Sequence, residues 1–303
     1  MRRYTLRQLD IFLEVARELS ISRAAEKLHV TQPAVSMQMR QLEEAVGMPL
    51  YEQTGRKIAL TDAGQDFQQY AIAAVAQLKQ LEDAMAQRRG IRKGRVALAT
   101  VSTAKYFVPM LLVLFRKKFP DIEVVLQIHN RESIMNLLAR NEIDLVIMGN
   151  APDTLECTAT AFATNPLGVI SAPEHPLSRR RHASWSILND QEFVVRENGS
   201  GTRKLMERLF AEHEISPHIV MEMPSNETIK QAVMAGMGLS FLSLRTIRHE
   251  VASGHLVLLD IEGLPIVRHW HVTHLSSKRL APAASVLKSF LIEEAGPLVN
   301  LWA

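Results

Sequence analysis

The chain has one cysteine in 303 residues, Cys157, and no apolar run near the ~20 residues needed to span a bilayer. A single thiol excludes an internal disulfide and suits a reducing compartment. With no histidine or second cysteine nearby in sequence, it reads as a packing residue rather than a redox centre. The opening Met-Arg-Arg-Tyr-Thr-Leu-Arg-Gln-Leu-Asp lacks an apolar signal core, so a soluble, cytoplasmic protein without a membrane partner is expected. Net charge is also small, at +3. Residues 1–60 carry nearly as many acids as bases, so any case for nucleic acid must rest on where charges sit.

Catalytic signatures are missing too. Gly199-Ser200-Gly201-Thr202-Arg203-Lys204 lacks P-loop spacing and the final Lys-Ser/Thr pair. Gly236-Met237-Gly238 follows an expected helix and precedes an expected strand, the reverse of a dinucleotide-binding turn. There is no Gly-x-Ser-x-Gly elbow and no HExxH pattern. On an expected strand His269 and His271 face one side and His274 the other, which splits any metal set. No enzymatic activity, cofactor or metal is expected, and no internal repeat or low-complexity segment stands out.

What is present starts with residues 20–46. They read as two short helices joined by a tight turn at His29-Val30-Thr31, the first running from Ser22 as N-cap to Leu28. Thr31 suits the N-cap of the second helix, and Pro33 sits in its first turn, where a missing N–H costs nothing. Val35, Met39, Leu42 and Val46 recur at helical spacing and should face a small core. Gln32, Pro33, Ser36, Met37, Arg40 and Gln41 remain for the outer side. Amide, hydroxyl and guanidinium groups near a helix N-terminus are what reading the major groove requires. A three-helix packing motif with a solvated face is the competing interpretation. After Pro49, Leu50–Gln53 and Lys57–Leu60 read as a hairpin about Thr54-Gly55-Arg56. It would act as a wing whose Arg56 and Lys57 meet phosphates of double-stranded DNA.

The segments Leu6–Phe12, Ala24–Ser36 and Leu60–Gly64 resemble, in order and spacing, the N-terminal signature of LysR-type transcriptional regulators. Further stretches, Ser102–Phe107, Asn130–Glu132, Gly199–Arg203 and Ile229–Val233, resemble the subgroup that controls carbon-dioxide fixation operons, called CbbR-like. Met37 departs from the wider family, where many members carry a cation, and bears on which bases are read.

From Thr61 to Arg89 there is no proline, and Phe67, Ala71, Ala74, Leu78, Leu81 and Met85 are spaced by 4, 3, 4, 3 and 4. That is the seam of a helix seeking a partner helix, with folding back onto its own domain as the alternative. The resemblance implies antiparallel pairing between two subunits and a homotetramer, with RNA polymerase a further candidate partner. Gln87–Arg95, basic with two glycines, reads as a hinge.

Beyond Arg95 strands and helices alternate, which predicts α/β with a largely parallel sheet. The resemblance implies two Rossmann-like subdomains like those of a periplasmic binding protein, with crossings near residues 163 and 267. The expected domains are 1–60, a winged helix-turn-helix; 61–89, a linker helix; and 90–303, an effector-binding domain. The last divides into about 91–162 with 268–303, and about 163–267. Ligands of such sheets sit at the carboxyl ends of strands, beside helix N-termini. Ser102, Thr103, Lys105, His129 and Asn130 lie there in one subdomain. Ser200, Gly201, Thr202, Arg203, Ser225 and Asn226 lie there in the other. Hydroxyls, backbone donors and cations between two lobes suit a small anionic, phosphorylated metabolite or nucleotide, although each serine alone could be a helix cap. A ligand-responsive transcription regulator is the expected function; the alternative is a cytoplasmic solute-binding module without a transcriptional role.

Overall fold

The computed structural model describes residues 4–54, 57–88, 94–150 and 154–301, with backbone alone at 53, 54, 57, 76, 79, 80, 82–88 and 301. They fall into two compact units, Met1–Gly90 and Ile91–Ala303. Among them no helix is long and apolar enough to cross a membrane.

The first unit contains α1 (Leu6–Glu18), α2 (Ile21–Lys27), α3 (Gln32–Val46), β1 (Tyr51–Thr54), β2 (Lys57–Leu60) and α4 (Asp62–Arg88). A reciprocal cap opens α1: Gln8 N donates to Thr5 Oγ1 at 3.3 Å, and Thr5 N donates to Gln8 Oε1 at 2.8 Å. Helix α2 is capped by Ser20, not Ser22 as expected, with Arg23 N donating to Ser20 Oγ. The cause lies one residue earlier: Leu19 ends α1 in the left-handed region at φ 46° and passes an extended backbone to Ser20. His29 occupies the turn at φ 54°, a strained conformation usually given to glycine.

Phe12, Val15, Ala24, Val35, Met39, Leu42 and Leu50 are wholly buried in the core of this unit. Each large side chain there contributes about 1.5–3 kcal/mol. The hairpin is joined to α4 by Thr61, whose Oγ1 accepts from Gly64 N at 3.0 Å and donates to Pro49 O at 2.8 Å. Glycine is needed at 64 because a Cβ there would collide with the Leu50 carbonyl.

At 27 residues α4 is about 40 Å long. Its first turns pack back onto the head: the Phe67 ring meets Phe12 edge-on at 5.0 Å, and Ala71 is buried. Further along, Ala74 is exposed, Leu78 is half-buried and Leu81 is 55% exposed. The expected seam therefore splits into a part that serves its own unit and a part without cover there. The Met85 side chain, and most of the expected hinge, lie outside the described residues.

The second unit is α/β. Its strands are β3 (Gly94–Val101), β4 (Ile122–His129), β5 (Leu145–Met148), β6 (Cys157–Ser171), β7 (Glu192–Arg196), β8 (His218–Met223), β9 (Ser240–Ser243), β10 (Val257–Leu258) and β11 (Ile266–Leu275). Its helices are α5 (Val108–Lys118), α6 (Arg131–Ala139), α7 (Gly201–Glu212), α8 (Asn226–Met234), α9 (Arg248–Ala252), α10 (Pro282–Phe290) and α11 (Gly296–Leu301).

The main sheet runs β10-β6-β11-β5-β3-β4, with β9 also on β6. Only β3 with β4 and β3 with β5 are parallel within it. The expectation of a largely parallel sheet is thus corrected to a mixed one, because β6 and β11 run antiparallel from Cys157 opposite Leu275 to Leu167 opposite Ile266. The apolar residues 167–170 lie in the last part of β6, whose first half is a Thr/Ala stretch with no apolar run to reveal it. Between β3 and β4 the helical stretch is broken at Phe107 into a 3-10 turn, Ser102–Tyr106, and α5. Pro109, in the first turn of α5, has no N–H with which to continue a longer helix.

Two lobes result. One core gathers Leu98, Phe115, Ile147, Trp270 and Phe290. The other gathers Phe193, Leu209, Phe210 and Phe241, with Ile170, Val194 and Ile229 beside it. Strand β6 feeds both, placing Phe162 in the first and Leu167 and Val169 in the second.

Candidate DNA-reading helix and effector cavity

On α3 Val35, Met39 and Leu42 are fully inside and Val46 is half-buried, which leaves Gln32, Pro33, Met37, Arg40 and Gln41 exposed and Ser36 half-buried. Met37 is 54% exposed. Thr31 is the N-cap residue by its extended backbone, but its side chain makes no capping bond. The hairpin pairs Tyr51 with Leu60 and Thr54 with Lys57. Arg56 and the Lys57 side chain, the expected phosphate contacts, lie outside the described residues.

In the second unit the carboxyl ends of β3, β4 and β7 converge on a cavity of about 320 Å³. Ser102 and Thr103 line it after β3, Asn130 and Arg131 at the start of α6, and Ser200, Gly201 and Thr202 at the start of α7. The two helix starts face each other: a Cβ on Gly201 would touch Arg131 Cδ at 3.5 Å, and Gly199, at φ +83°, leaves room for Glu132. Two helix N-termini bring partial positive charge and backbone N–H groups to one space. Ser200 caps α7 by position, without a side-chain bond to it, so its hydroxyl is not committed to that helix.

The remaining expected residues lie elsewhere. Arg203 does not line the cavity; it is held by Glu207, at 2.7 Å, and by Glu222, and donates to Arg196 O. Lys105 stands 5.2 Å from the Tyr106 ring centroid, and His129 Nε2 is 3.3 Å from Gln127 Oε1. Ser225 caps α8 through Thr228 N. Asn226 is buried, and its Oδ1 accepts from Arg196 Nη1 at 2.7 Å.

Arg196 is the residue that sequence reasoning missed. Only 3% exposed, it lines the cavity and donates to Ser102 Oγ, Asn226 Oδ1 and both oxygens of Glu197. Its position as the last residue of β7 was the available signal, since that strand end faces the ligand side. Lys204, Arg208 and Arg268 were also missed; the first two follow Gly201 at intervals that place all three on one side of α7. None of the residues lining this cavity is a carboxylate, whereas five are cations. Such a site favours an anion.

The histidines of β11 are engaged individually. His271 Nδ1 is 3.2 Å from Gly149 O, and His274 Nε2 is 3.1 Å from Lys288 Nζ. Among the described residues there is no group of three or more His, Cys, Asp or Glu able to hold a metal. Cys157 is partly buried against the Ile134 and Leu138 cluster, and burial pushes its thiol pKa up, away from reactivity.

The family described as LysR substrate binding domain matches residues 89–296, and the bacterial regulatory helix-turn-helix protein, lysR family, matches residues 6–65. The HTH-type transcriptional regulator CbbR of Rhodospirillum rubrum is 46% identical over 286 residues, covering 94% of this chain and 95% of that protein. A RuBisCO operon transcriptional regulator of Allochromatium vinosum is 44% identical over 291 residues, 96% of each chain. Among solved structures, the regulatory domain of Synechocystis PCC6803 CcmR in complex with 2-PG is 40% identical, with a TM-score of 0.64, over 66% of this chain and 96% of that one. The chain belongs to the LysR family of bacterial transcriptional regulators.

Proposed function

We propose that this regulator binds operator DNA through α3 and the β1–β2 wing, senses a small phosphorylated anion in the cavity of its second unit, and controls carbon-fixation genes. The observation that carries the sensing role is the cavity itself: two facing helix N-termini, hydroxyls and five cations, with no lining carboxylate. The relatives named for the RuBisCO operon and the 2-PG complex of CcmR support the genes and the ligand class. In this reading residues 1–60 are the DNA-binding head, 61–89 the linker helix and 90–303 the effector domain. The subdomains within the last meet near residues 163 and 267.

The uncovered stretch of α4 about Leu78 and Leu81 pairs with the same helix of a second copy, and dimers assemble into tetramers. Ligand acts because it binds two assembly geometries with different affinities. The Ser102–Arg196 hydrogen bond links the lobes near the ligand, so a change in lobe angle is the first step of that coupling.

The test is a thermal-shift screen of the full chain against 2-phosphoglycolate, 2-phosphoglycerate, other central phosphorylated metabolites and nucleotides. A ligand at 100 times its Kd adds about 2.7 kcal/mol of stability. The hit should weaken on Thr103→Ala or Thr202→Val while operator affinity without ligand survives. Absence of any anion response would sink the sensing role.

A further inference from the structure

Two of the stretches that resemble the CbbR-like subgroup, Ser102–Phe107 and Ile229–Val233, approach each other from opposite lobes. Ala104 and Phe107 are buried in the core of one lobe, Ile229 and Val233 in a core of the other, and between them the Tyr106 hydroxyl donates to Glu227 Oε1. The second oxygen of that carboxylate lies 2.9 Å from Lys230 Nζ. Lys230 is 3% exposed, and the three hydrogens of its ammonium are taken up by Glu227, by Glu250 Oε1 at 2.8 Å and by Thr246 O at 3.0 Å. All three acceptors belong to its own lobe. Glu227 is thus anchored through one oxygen and reaches across with the other.

The chemistry of that bond is set by its surroundings. Burial and the bond to Glu227 raise the Tyr106 pKa well above the ordinary 10, so the phenol remains a donor. Burial raises the Glu227 pKa, but its bonds to Tyr106 and Lys230 outweigh this and bring it below the ordinary value, so the acceptor is ionised. Lys105 Nζ and Lys230 Nζ each stand 5.2 Å from the centroid of the Tyr106 ring, which adds cation–π attraction from both lobes. Yet the Glu227 side chain is 48% exposed and Tyr106 is half-buried. Water can replace each partner when the lobes part, and Lys230 keeps its other acceptors, so the contact is able to open and close. None of Tyr106, Glu227 and Lys230 lines the effector cavity. Ser102 and Tyr106 are the two ends of one 3-10 turn, so the turn is bonded to the far lobe at both ends, by Arg196 at one and Glu227 at the other.

We propose that Tyr106 and Glu227, held by Lys230, form a latch between the lobes that lies outside the effector cavity, favours the closed arrangement before ligand arrives, and thereby sets effector affinity without touching the ligand. An effector that contacts both lobes binds the closed form, and its apparent Kd is the intrinsic value divided by the closed fraction. This inference rests on the second unit being an effector sensor and adds the element that fixes its threshold.

The test uses the full chain, with 2-phosphoglycolate as the calorimetric probe and amide hydrogen exchange of the ligand-free protein as a second readout. Tyr106→Phe removes the hydroxyl and keeps the ring; Glu227→Gln, at a half-exposed position, removes the charge. Each should raise Kd at least about threefold and up to about tenfold, the range for one charge-assisted bond at a partly exposed site. The double variant should lose no more than either single one, because both act through the same bond. Exchange should quicken in Ser102–Phe107 and Asn226–Lys230 and stay unchanged in α1–α3. A purely structural role would lower the urea midpoint and leave Kd within twofold; that result, or losses that multiply in the double variant, overturns the latch. Tighter binding by the variants overturns it as well, since the bond would then hold the arrangement that excludes ligand. If the probe fails to bind the wild-type chain, the sensing of that anion falls, and unchanged exchange in Tyr106→Phe then overturns the latch separately.

Discussion

Arg196 Nη2 donates to Ser102 Oγ at 2.9 Å, joining residues 94 positions apart in sequence and tying the end of β7 to the turn after β3. The guanidinium is buried, so every acceptor it loses leaves a desolvated charge less well compensated. Ser102→Ala should therefore lower the stability of the second unit by about 1–3 kcal/mol, with DNA binding by the head retained. Urea denaturation followed by tryptophan fluorescence reads this, since all three tryptophans lie beyond residue 90. An unchanged midpoint would show that solvent replaces the hydroxyl without loss.

In the head, Gln32→Ala or Ser36→Ala should cost about 1–3 kcal/mol on the preferred operator and relax selectivity at a particular base pair. Arg56→Ala should instead weaken all sequences alike and flatten the dependence on salt. Gel-shift titrations over a salt series distinguish the two. A base-selective effect at Arg56 would contradict its assignment to the wing.

Leu78→Asp places a charge in the α4 seam, at a half-buried position beside the exposed Leu81. A dimer formed there should dissociate, and tight operator binding should be lost with it. Sedimentation velocity gives the answer directly. An unchanged mass would move the interface away from this seam.

His274 supplies a pH dependence. Burial holds its pKa below the ordinary 6.5, with Lys288 and Lys278 lowering it further against the bond to Leu275 O. The neutral ring fits its neighbours: Nδ1–H donates to Leu275 O at 2.9 Å, and Nε2 accepts from Lys288 at 3.1 Å. Because the unfolded chain takes up the proton first, the contribution is complete above pH 6.5 and declines as pH falls below it toward the folded pKa. His274→Gln should flatten the loss of melting temperature between about pH 7 and pH 5. Identical pH profiles for variant and wild type would assign the acid sensitivity to other groups.

Much of the head was legible because its signals are local. The spacing of Val35, Met39 and Leu42 marks a buried stripe, and Pro33 and Gly64 punctuate the helices, so neighbours in sequence decide the conformation. Where reasoning slipped, at Ser22 against Ser20, the deciding fact was the left-handed Leu19, which composition does not announce. The second unit was less legible. A Thr/Ala stretch carries no apolar period, so the first half of β6 was invisible until its pairing with β11 supplied the hydrogen bonds that make it a strand.

The sequence by itself determined the family and most of the elements, because propensity, capping and hydrophobic period act over a few residues. Tertiary structure alone decided which charges share a space. Arg203 was expected in the cavity and is held by Glu207 and Glu222; Arg196, Arg208 and Arg268 were not expected there and line it. Whether a cation is paired by a carboxylate or left for a ligand depends on what the fold brings within a few ångströms, and that proximity joins residues as far apart as Ser102, Arg196 and Arg268.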